Sequence, residues 1–121
     1  MSSVLIVEDY VNIKNLYSQA FTIAGFDVST ASSGNEGLKK VAERDFDVIV
    51  LDVLMLELSG SEFLEAFQAA NHPQTKVIVV SNLDSQAVVE KMKALGAVDY
   101  LVKSQYTPQQ VVDAVQAQLT K

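Results

Sequence analysis

The chain has 121 residues, of which 49% are hydrophobic and 20% are charged, so we expect one domain, residues 1–121, with a packed core of its own. The absence of cysteine excludes disulfide scaffolds, thiolate zinc sites, iron–sulfur clusters and cysteine nucleophiles. A net charge of -6 disfavours direct binding to nucleic acid or to an anionic membrane surface. No apolar run approaches the ~20 residues of a membrane-spanning helix, and the start of the chain lacks the basic flank of a signal peptide, so we expect a cytoplasmic protein.

Short apolar segments recur along the chain and predict five β-strands. These are Val4–Val7, Phe26–Val28, Val48–Leu51, Val77–Val80 and Tyr100–Val102. Four of the runs are nearly continuous, which indicates strands buried on both faces of a parallel sheet. The second segment alternates apolar and polar residues as far as Thr30, which is typical of an edge strand.

Between the strands, apolar residues recur at helical spacing and predict helices that dock on the sheet. The predicted stripes are Ile13, Leu16, Tyr17, Ala20 and Ala24; Val88, Met92 and Leu95; and Val111, Val115 and Leu119. Helix starts are indicated by Pro108 and by the capping-box pairs Ser33 with Glu36, Ser59 with Glu62, and Thr107 with Gln110. Gly25 and Gly96 stand where a helix end favours a left-handed residue.

This alternation predicts an α/β fold of five βα units. Right-handed crossovers leave few topologies, and the common one is a single doubly wound, flavodoxin-like five-stranded parallel sheet with strand order 2-1-3-4-5. Ligands of such sheets bind at the carboxyl ends of the strands, where the winding reverses between the first and third strands.

Polar residues follow the predicted strands at that edge of the sheet. They are Glu8, Asp9, Asp52, Ser81 and Lys103. Carboxylates brought this close repel each other unless a cation shares the site, and an all-oxygen ligand set favours Mg2+, with Mn2+ as a substitute. A carboxylate neutralised in this way can attack a phosphoryl group, while Lys103 and the Ser81 hydroxyl hold phosphoryl oxygens.

At these residues the chain resembles the receiver domain of two-component response regulators, including single-domain members of the CheY type. The resemblance covers essentially the whole chain and rests on VLIVEDY, VIVLDVLMLELSG, VIVVSNLD and GAVDYLVK. It implies that Asp52 is the phosphoacceptor and that Ser81 and Lys103 are the switch hydroxyl and the phosphoryl-contacting lysine. It also implies a magnesium site formed by Glu8, Asp9, Asp52 and the backbone carbonyl of Leu54.

The resemblance also implies a signalling mechanism and partners. A phosphoryl group adds about -1.5 to -2 charges and would draw the Ser81 hydroxyl inward, so that Tyr100 can move and change the surface that a partner recognises. The phosphoryl group would come from a histidine kinase or a histidine phosphotransfer protein and would control a downstream effector protein. The chain would catalyse its own phosphorylation and dephosphorylation, as a monomer or a phosphorylation-dependent dimer.

Two positions depart from the family pattern, and two others bear on the phosphoryl lifetime. The family usually has proline after the lysine, joined by a cis bond, but this chain has Ser104, so the turn geometry there does not follow from the resemblance. It also tends to have proline where this chain has Leu56, and we expect a more mobile loop with the chemistry retained. Leu54 and Leu83 occupy positions that tune self-dephosphorylation in the family, and neither side chain can orient a water, so a long-lived phosphoryl group is expected.

Three other functions are compatible with this fold class. A flavodoxin-like cofactor binder is disfavoured because two carboxylates follow the first strand, where a phosphate would bind. A hydrolase with an aspartyl nucleophile would need a second acid at the position of Leu54. A phosphorylation-independent interaction module of the same fold remains the alternative, although the acid cluster argues against it.

Overall fold

A computed structural model describes residues 1–55 and 58–120, so the prediction made for Leu56 lies outside the described residues. Strands are formed by Ser3–Val7 (β1), Asp27–Ala31 (β2), Val48–Leu51 (β3), Lys76–Ser81 (β4) and Ala97–Val102 (β5). Helices are formed by Val11–Ile23 (α1), Gly34–Glu43 (α2), Gly60–Phe67 (α3), Gln86–Ala94 (α4) and Pro108–Leu119 (α5), with 3-10 turns at Ala69–Asn71 and Lys103–Gln105.

All five strands join one parallel sheet in the order β2-β1-β3-β4-β5, which confirms the predicted fold and topology. Helices cover both faces, because every parallel connection must return across the sheet. Within residues 1–55 and 58–120, no helix combines the length and the apolar character needed to cross a membrane.

Alternate residues of the central strands supply two separate cores. In β1, Leu5 and Val7 face the core covered by α2, α3 and α4, while Val4 and Ile6 face the core covered by α1 and α5. The continuous apolar runs therefore reflect burial on both faces of the sheet. Phe63 is fully buried in the first core, where truncation of such a ring to alanine typically costs about 3–5 kcal/mol.

The predicted helix boundaries are largely confirmed. Complete capping boxes join Ser59 with Glu62 and Thr107 with Gln110. Ser33 caps α2 through the Glu36 N–H, but the Glu36 carboxylate accepts from the backbone of Ser32, so the second half of that predicted box is wrong.

The two predicted left-handed glycines follow α1 and α4. Gly25 and Gly96 have φ values of +94° and +114°, which side chains with a Cβ rarely adopt. A Cβ on Gly96 would lie 2.5 Å from that of Ala69, so this glycine is also required by close packing.

Two packing predictions and one strand boundary were wrong. Leu16 does not face the sheet and is 52% exposed, because the buried face of α1 centres on Tyr17 and Phe21. Strand β5 is not buried on both faces: among the described residues it pairs with β4 alone, and both Tyr100 and Val102 are partly exposed. Phe26 precedes β2 rather than opening it, and its ring packs edge-on against Phe21 at 5.0 Å between centroids.

Candidate functional site

The sheet brings the carboxyl ends of β1 and β3 side by side. Val7 pairs with Leu51, so the acids that follow these residues leave the sheet at neighbouring positions. Glu8 is 2% exposed and Asp52 is 5% exposed. Two carboxylates are thus buried at the point where the winding of the sheet reverses.

Asp9 completes an acid cluster at this edge. Glu8, Asp9 and Asp52 each offer a carboxylate oxygen, and these oxygens lie within 4.8 Å of one another. Like charges at this separation repel strongly where water is excluded. The cluster therefore needs positive charge nearby.

Lys103 supplies one such charge from the end of β5. Its Nζ lies 2.7 Å from Glu8 Oε1 and 3.4 Å from Asp52 Oδ2. Both distances allow charge-assisted hydrogen bonds, and the shorter one is to Glu8. A single ammonium cannot neutralise three carboxylates, so the cluster keeps an excess of negative potential.

Burial and the neighbouring charges together set the protonation of Glu8 and Lys103. Burial raises the pKa of Glu8 to about 7, and the charge of Asp52 adds to that rise, while the hydrogen bond and charge of Lys103 oppose it. Burial alone would lower the pKa of Lys103, but its hydrogen bond to Glu8 and the charge of Asp52 outweigh burial, so that its pKa is raised. Lys103 is therefore charged at neutral pH, whereas Glu8 titrates near it.

The donor set fits Mg2+. Within residues 1–55 and 58–120, Asp9 Oδ1 is the buried side-chain oxygen or nitrogen that has no hydrogen-bond partner. Such a buried acceptor is costly unless a cation or water binds it. Because its neighbours are also carboxylates, and hard cations prefer oxygen ligands, a divalent cation such as Mg2+ would satisfy this atom.

A cavity of about 480 Å3 opens above the cluster. Its lining residues are Asp9, Tyr10, Asp52, Leu54, Met55, Ser81, Asn82 and Lys103. The cavity thus collects every site residue predicted from the strand ends except Glu8, which is buried and accepts a hydrogen bond from Lys103 Nζ. Leu54 also lines the cavity and is 57% exposed, and its N–H donates to Asp52 Oδ1 at 3.3 Å.

Ser81 and Tyr100 lie on the β4–β5 side of the site. The buried Ser81 Oγ accepts from the Leu83 N–H at 3.2 Å, and the Tyr100 hydroxyl donates to the Leu83 carbonyl at 2.5 Å. Burial raises the pKa of Tyr100, and the neighbouring Ser81 hydroxyl opposes that rise. Leu83 thus connects the cavity hydroxyl to the partly buried aromatic ring.

Two contacts were missed by the sequence analysis. The Tyr10 N–H donates to Glu8 Oε2 at 3.2 Å, and Asn82 Oδ1 accepts from the Ser104 N–H at 2.9 Å. The Lys103–Ser104 peptide bond is trans, and both residues belong to a 3-10 turn. The available signal was that Tyr10 and Asn82 each directly follow a predicted site residue.

Comparisons with known proteins agree with this geometry. The family model for the response regulator receiver domain matches residues 4–116. The chemotaxis protein CheY of Thermotoga maritima is 34% identical over 114 residues, which cover 93% of this chain and 92% of that protein. The transcriptional regulatory protein ZraR of Escherichia coli O157:H7 is 34% identical over 101 residues, which cover 83% of this chain but 22% of that longer protein. The solved structure of chemotaxis protein CheY4 of Vibrio cholerae has a TM-score of 0.89 and 32% identity, covering 97% of this chain and 98% of that one.

Proposed function

The chain belongs to the family of response regulator receiver domains, and on that premise we propose that it is a phosphoaccepting switch whose phosphoacceptor is Asp52. The observation that carries this proposal is the buried Asp52 carboxylate in a cavity with Lys103 and Ser81. The apolar strand β3 holds Asp52 in place, since Val48–Leu51 is entirely buried.

The chemistry is a phosphoryl transfer to a carboxylate. An oxygen of Asp52 attacks phosphorus, the bond from phosphorus to the donor breaks, and an aspartyl phosphate forms. With a phosphohistidine donor the leaving group is the imidazole, which takes up a proton. With an acyl phosphate donor the leaving group is the free carboxylate.

Positioned side chains assist this transfer. Lys103 Nζ already lies 3.4 Å from Asp52 Oδ2, so a small movement would bring it to a phosphoryl oxygen. The Ser81 hydroxyl lines the same cavity and can donate to another phosphoryl oxygen. Glu8, Asp9, Asp52 and the Leu54 carbonyl would hold Mg2+, which when bound supplies positive charge that offsets the carboxylates and the phosphoryl oxygens.

The signal would pass from Ser81 to the surface through Leu83 and Tyr100. Drawing the Ser81 hydroxyl toward a phosphoryl oxygen removes its hydrogen bond with the Leu83 N–H and shifts a loop that Tyr100 holds by the Leu83 carbonyl. The Tyr100 ring, which packs partly against the core, can then change position together with the loop that contains Leu83. A partner that prefers one arrangement by a few kcal/mol would read the change.

Receiver domains act between kinases and downstream effectors. For this chain we propose a histidine kinase or histidine phosphotransfer protein as the donor and another protein as the output partner. The acidic surface, with a net charge of -6, supports a protein partner rather than nucleic acid.

We also propose that the phosphoryl group is long-lived. Hydrolysis requires a water positioned in line with the bond to Asp52. The side chain of Leu54 at the cavity wall has no hydrogen-bonding group, and neither does that of Leu83 in the loop after Ser81. Neither side chain can therefore orient the attacking water.

The test is intact-mass spectrometry after incubation with acetyl phosphate, with and without Mg2+, on wild type and on Asp52→Asn. We expect a Mg2+-dependent phosphoryl adduct on wild type and none on Asp52→Asn. Asparagine keeps the size of the side chain but removes the nucleophilic carboxylate. Circular dichroism of both proteins controls for folding.

Each negative result has its own meaning. An adduct of equal yield on Asp52→Asn would overturn the assignment of Asp52. If the wild type forms no adduct and binds no Mg2+, the alternative, a phosphorylation-independent interaction module, is favoured instead.

A further inference from the structure

A side chain beside the cavity connects the two loops that carry the predicted phosphoryl contacts. Asn82 directly follows Ser81, and its Oδ1 accepts from the backbone N–H of Ser104 at 2.9 Å across 22 residues of sequence. Ser104 directly follows Lys103. One hydrogen bond therefore joins the loop after β4 to the turn after β5.

The 3-10 turn at Lys103–Gln105 explains why this donor is free for a side chain. The turn is closed by the Tyr106 N–H, which donates to the Lys103 carbonyl at 3.3 Å. N–H groups at the start of such a turn have no carbonyl partner within it, and they are commonly satisfied by a side chain. Asn82 thus caps this turn from a different loop.

The identity of residue 104 makes the contact possible. Proline has no backbone N–H, so a chain with proline at this position could not form the bond. The N–H can only donate, and the amide must therefore present its oxygen to Ser104. The bond therefore depends on Asn82 and on a residue other than proline at position 104.

We propose that Asn82 is a positioning residue for Lys103 in the phosphoryl transfer to Asp52. The lysine side chain is long and flexible, so its ammonium is located only as well as its backbone is fixed. Asn82 and Lys103 both line the cavity, and the bond to Ser104 fixes the backbone beside Lys103 relative to Ser81. This hydrogen bond, the tether between the two loops, keeps the Ser81 hydroxyl and the Lys103 ammonium at a fixed separation across the cavity.

This inference rests on the proposed function and makes a separable prediction. Replacing Asn82 with alanine should slow the formation of the Asp52 adduct from acetyl phosphate about two- to tenfold, the range expected for one hydrogen bond. Mg2+ affinity, measured by isothermal titration calorimetry, should stay within about twofold because Asn82 is not in the acid cluster. A general loosening of the fold would instead slow adduct formation and lower Mg2+ affinity together.

A matched control is available in the same loop region. Ser85 caps α4 by accepting from the Val88 N–H at 3.3 Å, which is also an exposed bond from a side chain to the backbone. Ser85→Ala should lower stability by a similar amount and leave adduct formation unchanged, because its bond does not reach the turn at Lys103.

Amide hydrogen exchange, followed by NMR, tests the bond itself. The Ser104 amide should exchange several-fold faster in Asn82→Ala than in wild type, and Asn82→Asp, which keeps an acceptor oxygen, should restore its protection. Unchanged exchange in Asn82→Ala, or a wild-type rate of adduct formation, would overturn the inference. An equal loss of rate in Ser85→Ala, or a parallel loss of Mg2+ affinity, would do so as well.

Failure of the proposed function would look different. A wild-type protein that forms no adduct would refute the phosphoacceptor assignment and with it a role for Asn82 in transfer. The exchange of the Ser104 amide would still show whether the tether between the two loops exists.

Discussion

Mg2+ binding should become stronger as the pH rises from 6 to 8. Glu8 is a proposed magnesium ligand, and burial, with the charge of Asp52 in addition, raises its pKa to about 7. A protonated carboxyl is a poor metal ligand, so the metal must displace that proton. Each bound metal ion should therefore release part of a proton from Glu8 near neutral pH.

The size of the change in Mg2+ affinity follows from the pKa of Glu8. With a value of about 7, roughly a tenth of Glu8 is ionised at pH 6 and roughly nine tenths at pH 8. The apparent Mg2+ affinity should therefore increase about tenfold over this range. Lys103 stays charged throughout, because its pKa is raised from 10.5.

Isothermal titration calorimetry at pH 6, 7 and 8 and constant ionic strength measures this dependence, and Glu8→Gln is the control. Glutamine has a similar shape but does not titrate, so the variant should bind Mg2+ more weakly with little pH dependence. A flat wild-type profile, or an equally steep profile in Glu8→Gln, would refute the assignment of the titration to Glu8.

The same group predicts the stability of the metal-free protein. A carboxyl whose pKa rises on folding, from 4.5 to about 7, contributes stability that is complete below pH 4.5 and is lost as the pH rises through about 7. That difference corresponds to about 3 kcal/mol as an upper bound. Urea denaturation of wild type relative to Glu8→Gln at pH 5 and pH 8 measures it, and relative stability that increases with pH would contradict the sign.

Four further variants test the packing of two glycines, the phosphoryl lifetime and the role of the Tyr100 hydroxyl. Gly96→Ala should lower the free energy of unfolding, measured in urea, by about 1–3 kcal/mol, and by more than Gly25→Ala does. Both glycines have positive φ, but only a Cβ at position 96 would contact Ala69. Equal losses in the two variants would contradict the packing argument. The wild-type phosphoryl group should persist for many minutes in Mg2+ buffer and hydrolyse several-fold faster in Leu54→Asn by mass spectrometry, whereas a wild-type half-life of seconds would refute the proposal. Tyr100→Phe should lower the free energy of unfolding, measured in urea, by about 0.5–1.5 kcal/mol because it removes the bond to Leu83. It should keep the wild-type rate of adduct formation, and a slower rate would show that the hydroxyl takes part in phosphoryl transfer.

The layout of the sheet could be predicted from the sequence because its strands depend on short local patterns. Val48–Leu51 is continuous, apolar and flanked by polar residues, and its predicted bounds match β3. The phase of a helix is less certain, because one residue turns the face by about 100°. The sequence pattern therefore predicts a buried Leu16 in α1, whereas the structure buries Tyr17 and Phe21 and leaves Leu16 exposed.

Convergence of the strand ends could also be predicted, since parallel strands place their carboxyl ends at one edge. The contacts of the loops beyond those ends could not. Asn82 and Ser104 stand 22 residues apart with no periodic pattern to connect them, and their bond depends on the path of two irregular segments. Loop geometry of this kind is set by tertiary packing rather than by local preference.

Lys103 connects the resting site to the proposed chemistry. Its ammonium lies closer to Glu8 than to Asp52, at 2.7 Å against 3.4 Å, although Asp52 is the proposed nucleophile. A cation bound by Glu8 would compete for the carboxylate that now holds the lysine, and an incoming phosphoryl group adds an acceptor on the Asp52 side. Both changes would favour movement of Lys103 toward the Asp52 side, so we expect cation binding to favour the proposed phosphoryl transfer.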